Sequence, residues 1–319
     1  MTNKEINKLP LESKFSDDKR AHILHEGDAK DLLKNKDLHK KVRLIVTSPP
    51  YNIGKEYEEV KKLEDYLEEQ IGIIEELINV MADDGSLCWQ VGNYVDNETG
   101  HLVPLDIPFY NIFRDKGLML RNRIIWHFKH GYPNQKKLTN QYETILWFTK
   151  DENHYFDLDA IRVPQLYPGY RYPKGHKKEG QASGNPKGKN PGNIWDVVPQ
   201  AENIWDVPQV KAKHLEKTDH PAQYPISIIR RLITALTEEG DYVLDPYVGS
   251  GTTIAAAALE NRIGIGAEIN KEYCETVKNR IKNLNEGKMN YREDKEVPEP
   301  KGKVSETPLE WEQEGVSND

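Results

Sequence analysis

The segment YVLDPYVGSGTTIAAAALENRIGIGAEI (242–269) constrains the fold more than any other part of the chain. An apolar strand runs into a turn holding Gly249 and Gly251, a helix of small residues follows, and a second apolar strand ends on Glu268. Glycines in such a turn let the backbone pass close to a ligand, with a helix N-terminus behind it. No Lys follows the second glycine, so a phosphate loop is excluded. A dinucleotide turn is weakened because Ile254 stands where its third glycine would fall. Glu268, 17 residues beyond Gly251, sits where a carboxylate can accept both hydroxyls of a ribose.

The rest of the chain continues this alternation. HILHEG (22–27) and VRLIVT (42–47) read as strands, with a helix starting in AKDLLKN (29–35) between them. LEDYLEEQIGIIEELINVM (63–81) places apolar residues every three to four positions, which predicts an amphipathic helix. That helix is expected to stop at a turn, ADDG (82–85), before the strand SLCWQVG (86–92). A helix over IPFYNIFRDKG (107–117) and strands RNRIIWHF (121–128) and YETILWFT (142–149) follow. After the insert, helices PISIIRRLITALTEEG (225–240) and KEYCETVKNRIKNLNEG (271–287) flank the glycine-turn unit. Alternating strands and helices predict an α/β fold, a doubly wound, mostly parallel sheet with helices on both faces. Ligands of such sheets bind at the carboxyl ends of the strands.

A second motif ends a strand in the same way. Thr47-Ser48-Pro49-Pro50-Tyr51 follows VRLIV directly, and two adjacent prolines can neither continue a sheet nor begin inside a helix. The stiff turn would hold the Ser48 hydroxyl, the Pro49 carbonyl and the Tyr51 ring at fixed positions. An exocyclic base amine is a poor nucleophile because its lone pair is delocalised into the ring. Two acceptors gripping its N–H groups favour a pyramidal nitrogen aimed at an electrophilic methyl, and an aromatic face can clamp a base taken out of its stack.

Charge is unevenly spread. The net charge is −8, yet 162–195 carries Arg162, Arg171, Lys174, Lys177, Lys178, Lys187 and Lys189 against Glu179 alone. Residues 121–139 hold five more Lys/Arg and no acid. Concentrated positive charge suits phosphate contact whatever the chain total. Residues 154–217 are rich in Pro, Gly, Lys and Tyr and lack periodicity, and they contain a near-repeat, NIWDVVPQ (193–200) and NIWDVPQ (203–209). Five segments result. These are a flexible lead (1–20), a catalytic half (21–150), an insert (151–217), a cofactor half (218–285) and an acidic, nearly core-free tail (286–319), expected to be disordered. The polar N-terminus is no secretory signal and no stretch reaches membrane-span length. Cys88 and Cys274, the two cysteines, lack metal or redox spacing, and a reducing cytoplasm is the simplest setting. Both are expected in the core, as are Trp126 and Trp147; for Trp195 and Trp205 core and base stacking stay open. The histidines His127, His130, His154 and His176 show no ligand spacing, so no metal site is expected.

Together the motifs resemble those of the DNA amino-methyltransferases in the permuted beta arrangement, where a PP[Y/F/W] motif precedes the glycine turn. His220-Pro221-Ala222-Gln223-Tyr224-Pro225 is similar to the family's HP-x-Q motif, and Asp28 of HEGDAKDLL falls where members often carry an acid near the cofactor adenine. The resemblance spans roughly residues 20–285 and implies a Rossmann-like methyltransferase fold using S-adenosylmethionine, without metal or covalent intermediate. It implies cofactor contacts from Asp28, His220, Gln223, Asp245, Tyr247, Gly249, Gly251, Thr252 and Glu268. Ser48, Pro49, Pro50 and Tyr51 would act on the base. The insert corresponds to the target-recognition region. Lys174, Lys177, Lys178, Lys187 and Lys189 are then its expected contacts to double-stranded DNA, and Tyr167, Tyr170, Tyr172, Gln181, Asn185 and Asn193 offer stacking and base-edge bonds. A cognate restriction endonuclease is the partner such enzymes often have.

Neither cysteine follows a proline, which excludes the Pro-Cys nucleophile of cytosine-C5 enzymes. A leading Ser within VTSPPY is typical of cytosine-N4 members and DPPY of adenine-N6 members, though some adenine enzymes carry SPPY; cytosine N4 is slightly favoured and both stay open. Two other classes compete: a catalytically silent DNA-binding module on the same fold, and a small-molecule amine methyltransferase, which the long basic insert disfavours.

Overall fold

The structure, a computed structural model, describes residues 10–13, 21–52, 60–96, 99–128, 135–165, 167–195, 210 and 216–291. Eleven strands are present among them: β1 (Leu11–Glu12), β2 (His22–Glu26), β3 (Val42–Thr47), β4 (Met81–Val91), β5 (Asn93–Val95), β6 (Leu102–Pro104), β7 (Met119–His127), β8 (Tyr142–Thr149), β9 (Ile194–Trp195), β10 (Tyr242–Asp245) and β11 (Ile263–Glu268). The α-helices are α1 (Ala29–Leu33), α2 (Leu63–Val80), α3 (Asp106–Asp115), α4 (Ile226–Leu236), α5 (Thr252–Leu259) and α6 (Lys271–Asn285).

Nine strands form one sheet in the order β1-β2-β11-β10-β3-β4-β8-β7-β9, and β5 and β6 form a separate hairpin. From β1 to β4 every neighbouring pair is parallel, whereas β4–β8 and β8–β7 are antiparallel. The winding reverses between β10 and β3. From β3 the chain moves outward to β4, and from β10 it moves the other way to β11. The crevice at such a reversal is where doubly wound sheets take their ligands.

Period-two alternation assigns each strand residue to a face. On β3, Ile45 joins one apolar layer and its neighbours Leu44 and Val46 join the other. The first layer buries Tyr66, Ile73, Ile74, Leu77 and Val80 of α2 with Phe109 and Phe113 of α3. Trp89 on β4 is fully buried there, its ring 5.2 Å from Phe109 and 5.4 Å from Phe113. The opposite layer packs Ile226, Ile229, Leu232 and Ile233 of α4 against Ile254–Ala257 of α5 and Val277 and Ile281 of α6. Cys88, Cys274, Trp126 and Trp147 are all buried here, in agreement with the sequence reading. Gly264 on β11 allows the tight approach of α5, since a Cβ there would lie 2.7 Å from the Ile254 backbone.

One boundary differs from expectation. ADDG is no turn: α2 passes straight into β4 at Met81, and the pairing of β3 with β4 shifts register between Val42 and Leu44. The irregularity absorbs what composition suggested was a break. Gly85 fits it because a Cβ would meet the Val42 and Arg43 carbonyl oxygens at 3.0 Å. Within the N-terminal lead, Leu11–Glu12 add a short parallel strand to β2. In the insert, Ile194–Trp195 of the first NIWD copy pairs with β7, while the second copy with Trp205, His130 and the tail from residue 292 lie outside the described residues.

Candidate active site

Both motif turns leave neighbouring parallel strands at the same edge of the sheet, SPPY after β3 and DPYVGSG after β10. They open on one cleft of about 740 Å³ whose lining includes Asp28, Ser48, Pro49, Pro50, Tyr51, His220, Gln223, Tyr247, Gly249, Thr252 and Glu268. Two of the expected site residues, Asp245 and Gly251, are not part of that lining.

The SPPY turn is held from several sides. Tyr66 of α2 donates its hydroxyl to the Pro50 carbonyl at 2.7 Å. Asn52 takes a left-handed backbone (φ 58°) and closes on Lys61 through two bonds of 2.7 Å. Ser48 Oγ donates to Tyr51 Oη at 3.0 Å, and Tyr51 Oη donates to Glu143 Oε2 at 3.2 Å. Gln90 Nε2 donates to the same carboxylate oxygen at 2.7 Å.

Asp245, the last residue of β10, is fully buried, with polar partners on both carboxylate oxygens. Its Oδ1 accepts from Thr47 Oγ1 at 2.6 Å and from the Tyr247 amide at 3.0 Å; its Oδ2 accepts from Tyr224 Oη at 2.8 Å and Thr253 Oγ1 at 2.7 Å. Tyr224 Oη and Thr253 Oγ1 also lie 2.6 Å from each other, so the four partners and the carboxylate form one closed polar cluster. Asp245 therefore braces the turn, and it lies behind the cleft lining in which a cofactor contact was expected of it. Burial pushes its pKa up despite those donors. Gly251 (φ 79°) likewise serves packing, since a Cβ there would lie 2.9 Å from Val277.

Glu268 ends β11 and does face the cleft. It accepts from the Gly249 amide at 3.0 Å and the Asn270 amide at 2.8 Å, which leaves acceptor capacity free, and burial raises its pKa. Gly249 (φ 49°) has no room for a side chain, because its Cβ would lie 2.9 Å from the His220 ring. That ring packs edge-on to Tyr273 at 4.5 Å, and burial lowers the His220 pKa to about 4, so it is neutral near pH 7. Gln223 accepts from Thr218 and donates to the Glu216 carbonyl, fixing the loop before α4. Asp28 caps α1 by accepting from the Lys30 amide at 2.8 Å. Tyr247 Oη donates to Gln70 Oε1 at 3.0 Å.

Sequence reasoning missed Glu143, Gln90, Tyr224 and Arg280. Arg280 of α6 donates to the Ser250 carbonyl at 2.9 Å and to Thr252 Oγ1 at 3.0 Å, pinning the glycine turn from behind. For Glu143 in YETILWFT and Gln90 in SLCWQVG the one available signal was a polar residue inside an apolar strand, whereas Tyr224, in the loop before α4, and Arg280, in the charge-rich α6, carried no such signal.

The basic insert is separate from the cleft lining. Lys174, Lys177 and Lys178 are exposed, and Lys178 Nζ lies 6.0 Å from the centre of the Tyr172 ring, which stacks on His176 at 4.3 Å. Lys187 is paired with Asp159 at 2.6 Å, and Lys189 pairs its backbone with Val163. Tyr167 and Tyr170 expose 49% and 61% of their surface, enough ring area for stacking. Among the described residues, no group of three or more His, Cys, Asp or Glu could hold a metal ion, and no helix is long and apolar enough to cross a membrane.

Residues 42–279 match the family model described as DNA methylase, of the N6/N4 class. The chain belongs to that family. Type II methyltransferase M.BglII of Bacillus subtilis is 47% identical over 234 residues, covering 73% of this chain and 62% of its own length. The DNA adenine methyltransferase YhdJ of Escherichia coli (strain K12) is 33% identical over 256 residues, 79% of each chain. Among solved structures, the putative DNA modification methylase TTHA0409 of Thermus thermophilus, complexed with S-adenosyl-L-methionine, superposes with a TM-score of 0.58 at 26% identity, covering 84% of this chain and 96% of that one. This DNA methylase thus shares the α/β architecture of that protein, as the sequence reading anticipated.

Proposed function

We propose that this DNA methylase transfers a methyl group from S-adenosylmethionine to an exocyclic amino nitrogen of a base in double-stranded DNA. One observation carries the reading: the SPPY turn and the glycine turn leave adjacent strands and share a single cleft. The residues present suit the cofactor. Glu268 keeps acceptor capacity at a strand end, where a ribose diol would meet it, and Gly249 leaves the turn free of a side chain. Asp28, His220, Gln223, Tyr247 and Thr252 would complete its walls. When bound, the cofactor supplies an electrophilic methyl. Ser48 Oγ and the Pro49 carbonyl accept from the two N–H bonds of the amine and localise its lone pair. Tyr51 and Pro50 shape the wall against which the flipped base rests.

The leading Ser48 favours cytosine N4 as the target. The adenine-N6 reading is supported by the 33% identity to YhdJ. Incubation with double-stranded DNA and labelled cofactor, then digestion to nucleosides and mass identification, decides between them. N4-methylcytosine is expected; N6-methyladenine establishes the second reading, and absence of any methylated nucleoside overturns both in favour of a silent DNA-binding module. Lysines 174, 177, 178, 187 and 189 are proposed to hold the DNA backbone. The type II designation of M.BglII supports a cognate restriction endonuclease as partner.

A further inference from the structure

Glu143 lies where the reaction as read so far assigns nothing. It is the second residue of β8, opposite Trp126 of β7, and its carboxylate reaches beneath the SPPY turn. Three polar groups join it in series. Ser48 Oγ donates to Tyr51 Oη at 3.0 Å, Tyr51 Oη donates to Glu143 Oε2 at 3.2 Å, and Gln90 Nε2 donates to that same oxygen at 2.7 Å. The Tyr51 ring is held against Gly92, where a Cβ would lie 3.2 Å from its edge.

A hydroxyl carries one proton and two lone pairs, so a chain of hydroxyls takes its direction from its ends. An ionised carboxylate can only accept. With Glu143 at the inner end, Tyr51 must donate inward, and Ser48 then donates inward to Tyr51. The Ser48 proton is thereby turned away from the cleft, and its lone pairs face the space the serine lines. Were the inner end able to donate, the direction could reverse, and Ser48 would present its proton to the N–H of the amine it must grip.

We propose that Glu143 is a positioning residue that sets the donor direction of the Ser48–Tyr51 pair and so makes Ser48 Oγ an obligate acceptor for the amino N–H of the target base. This rests on the reading that Ser48 grips the amine. Among the described residues, Glu143 is bonded by Tyr51 from the loop after β3 and Gln90 from β4 and pairs with Trp126 of β7, none of them cationic. Burial raises the Glu143 pKa, with the bonds from Gln90 and Tyr51 opposing. Protonation therefore sets in above the pH at which an ordinary glutamate titrates, and methyl transfer should fall on that acid limb.

The test compares Glu143→Gln, Tyr51→Phe, the exchange Gln90→Glu with Glu143→Gln, and Ser48→Ala. Single-turnover methyl transfer is read alongside cofactor affinity by calorimetry and DNA affinity by anisotropy. Glu143→Gln and Tyr51→Phe should each slow transfer roughly tenfold or more with both affinities unchanged. The acid limb should vanish in Glu143→Gln, and the exchange, which restores one carboxylate and one amide, should recover most of the rate. Wild-type transfer by Glu143→Gln, or a loss expressed wholly as weaker binding, overturns the proposal. An exchange variant that folds and binds both ligands but recovers no rate does so as well. If Ser48→Ala is slow while Glu143→Gln is not, the inference alone fails. If Ser48→Ala transfers at the wild-type rate, the reading of Ser48 fails and takes the inference with it.

Discussion

Thr47 donates its hydroxyl to Asp245 across 2.6 Å, joining the last residue of β3 to the last residue of β10 although 198 positions separate them. The bond ties the start of the SPPY turn to the start of the glycine turn, so the two halves of the cleft are held at a fixed distance. Asp245→Asn replaces one acceptor oxygen by a donor facing hydroxyls that donate. The expected cost is about 1–3 kcal/mol of stability, seen as a lower urea midpoint, because a buried polar group loses its partner. Thr47→Val should cost less, about 1 kcal/mol, since three donors to the carboxylate remain.

Glu268 should behave in the opposite way. It keeps free acceptor capacity toward the cleft, so Glu268→Gln is expected to weaken S-adenosylmethionine binding by about 1.5–3 kcal/mol, or roughly tenfold or more. The urea midpoint should move little. Calorimetry on Glu268→Gln and Asp245→Asn side by side separates the roles. A cofactor affinity that survives Glu268→Gln would remove this residue from the binding site.

His22 is fully buried on β2, where its Nδ1 accepts from the Gly264 amide at 3.1 Å, and burial lowers its pKa from 6.5 to about 4. Protonation is therefore easier in the unfolded chain. Stability is complete above pH 6.5 and declines as pH falls toward 4, by about 3 kcal/mol in all. His22→Asn keeps an acceptor for the Gly264 amide and removes the titration. Its urea midpoint should start lower at pH 7 and fall less between pH 7 and pH 5 than that of the wild type.

The insert should dominate DNA affinity without touching the cofactor. Lys187 is already paired with Asp159, so the charges to neutralise are Lys174, Lys177 and Lys178. Replacing all three by Gln is expected to weaken binding on every DNA sequence and to flatten the log–log salt dependence by about 0.9 for each phosphate no longer neutralised. Calorimetric cofactor affinity should be unchanged. A wild-type salt slope would make this segment a solvated loop and direct attention to residues 121–137.

The main strands and helices, the two motif turns and eleven of the residues lining the cleft were legible in the chain, because each depends on local pattern: an apolar run in β3, three-to-four spacing in α2, glycines and prolines at turns. The division of labour among the acids was not. Asp245 and Glu268 look alike in sequence, each ending an apolar strand beside the glycine turn. Only the arrival of Thr47 from β3 and Tyr224 from the loop before α4 encloses one, while the other lines the cleft. Glu143 reads as one charge in an apolar strand until β4 and the SPPY turn bring Gln90 and Tyr51 to it. The register of β3 on β4 similarly turned ADDG from an expected turn into strand. Local chemistry is encoded by neighbours in the chain, whereas the free lone pairs of a buried acid depend on donors delivered from distant positions, and sheet pairing alone decides which those are.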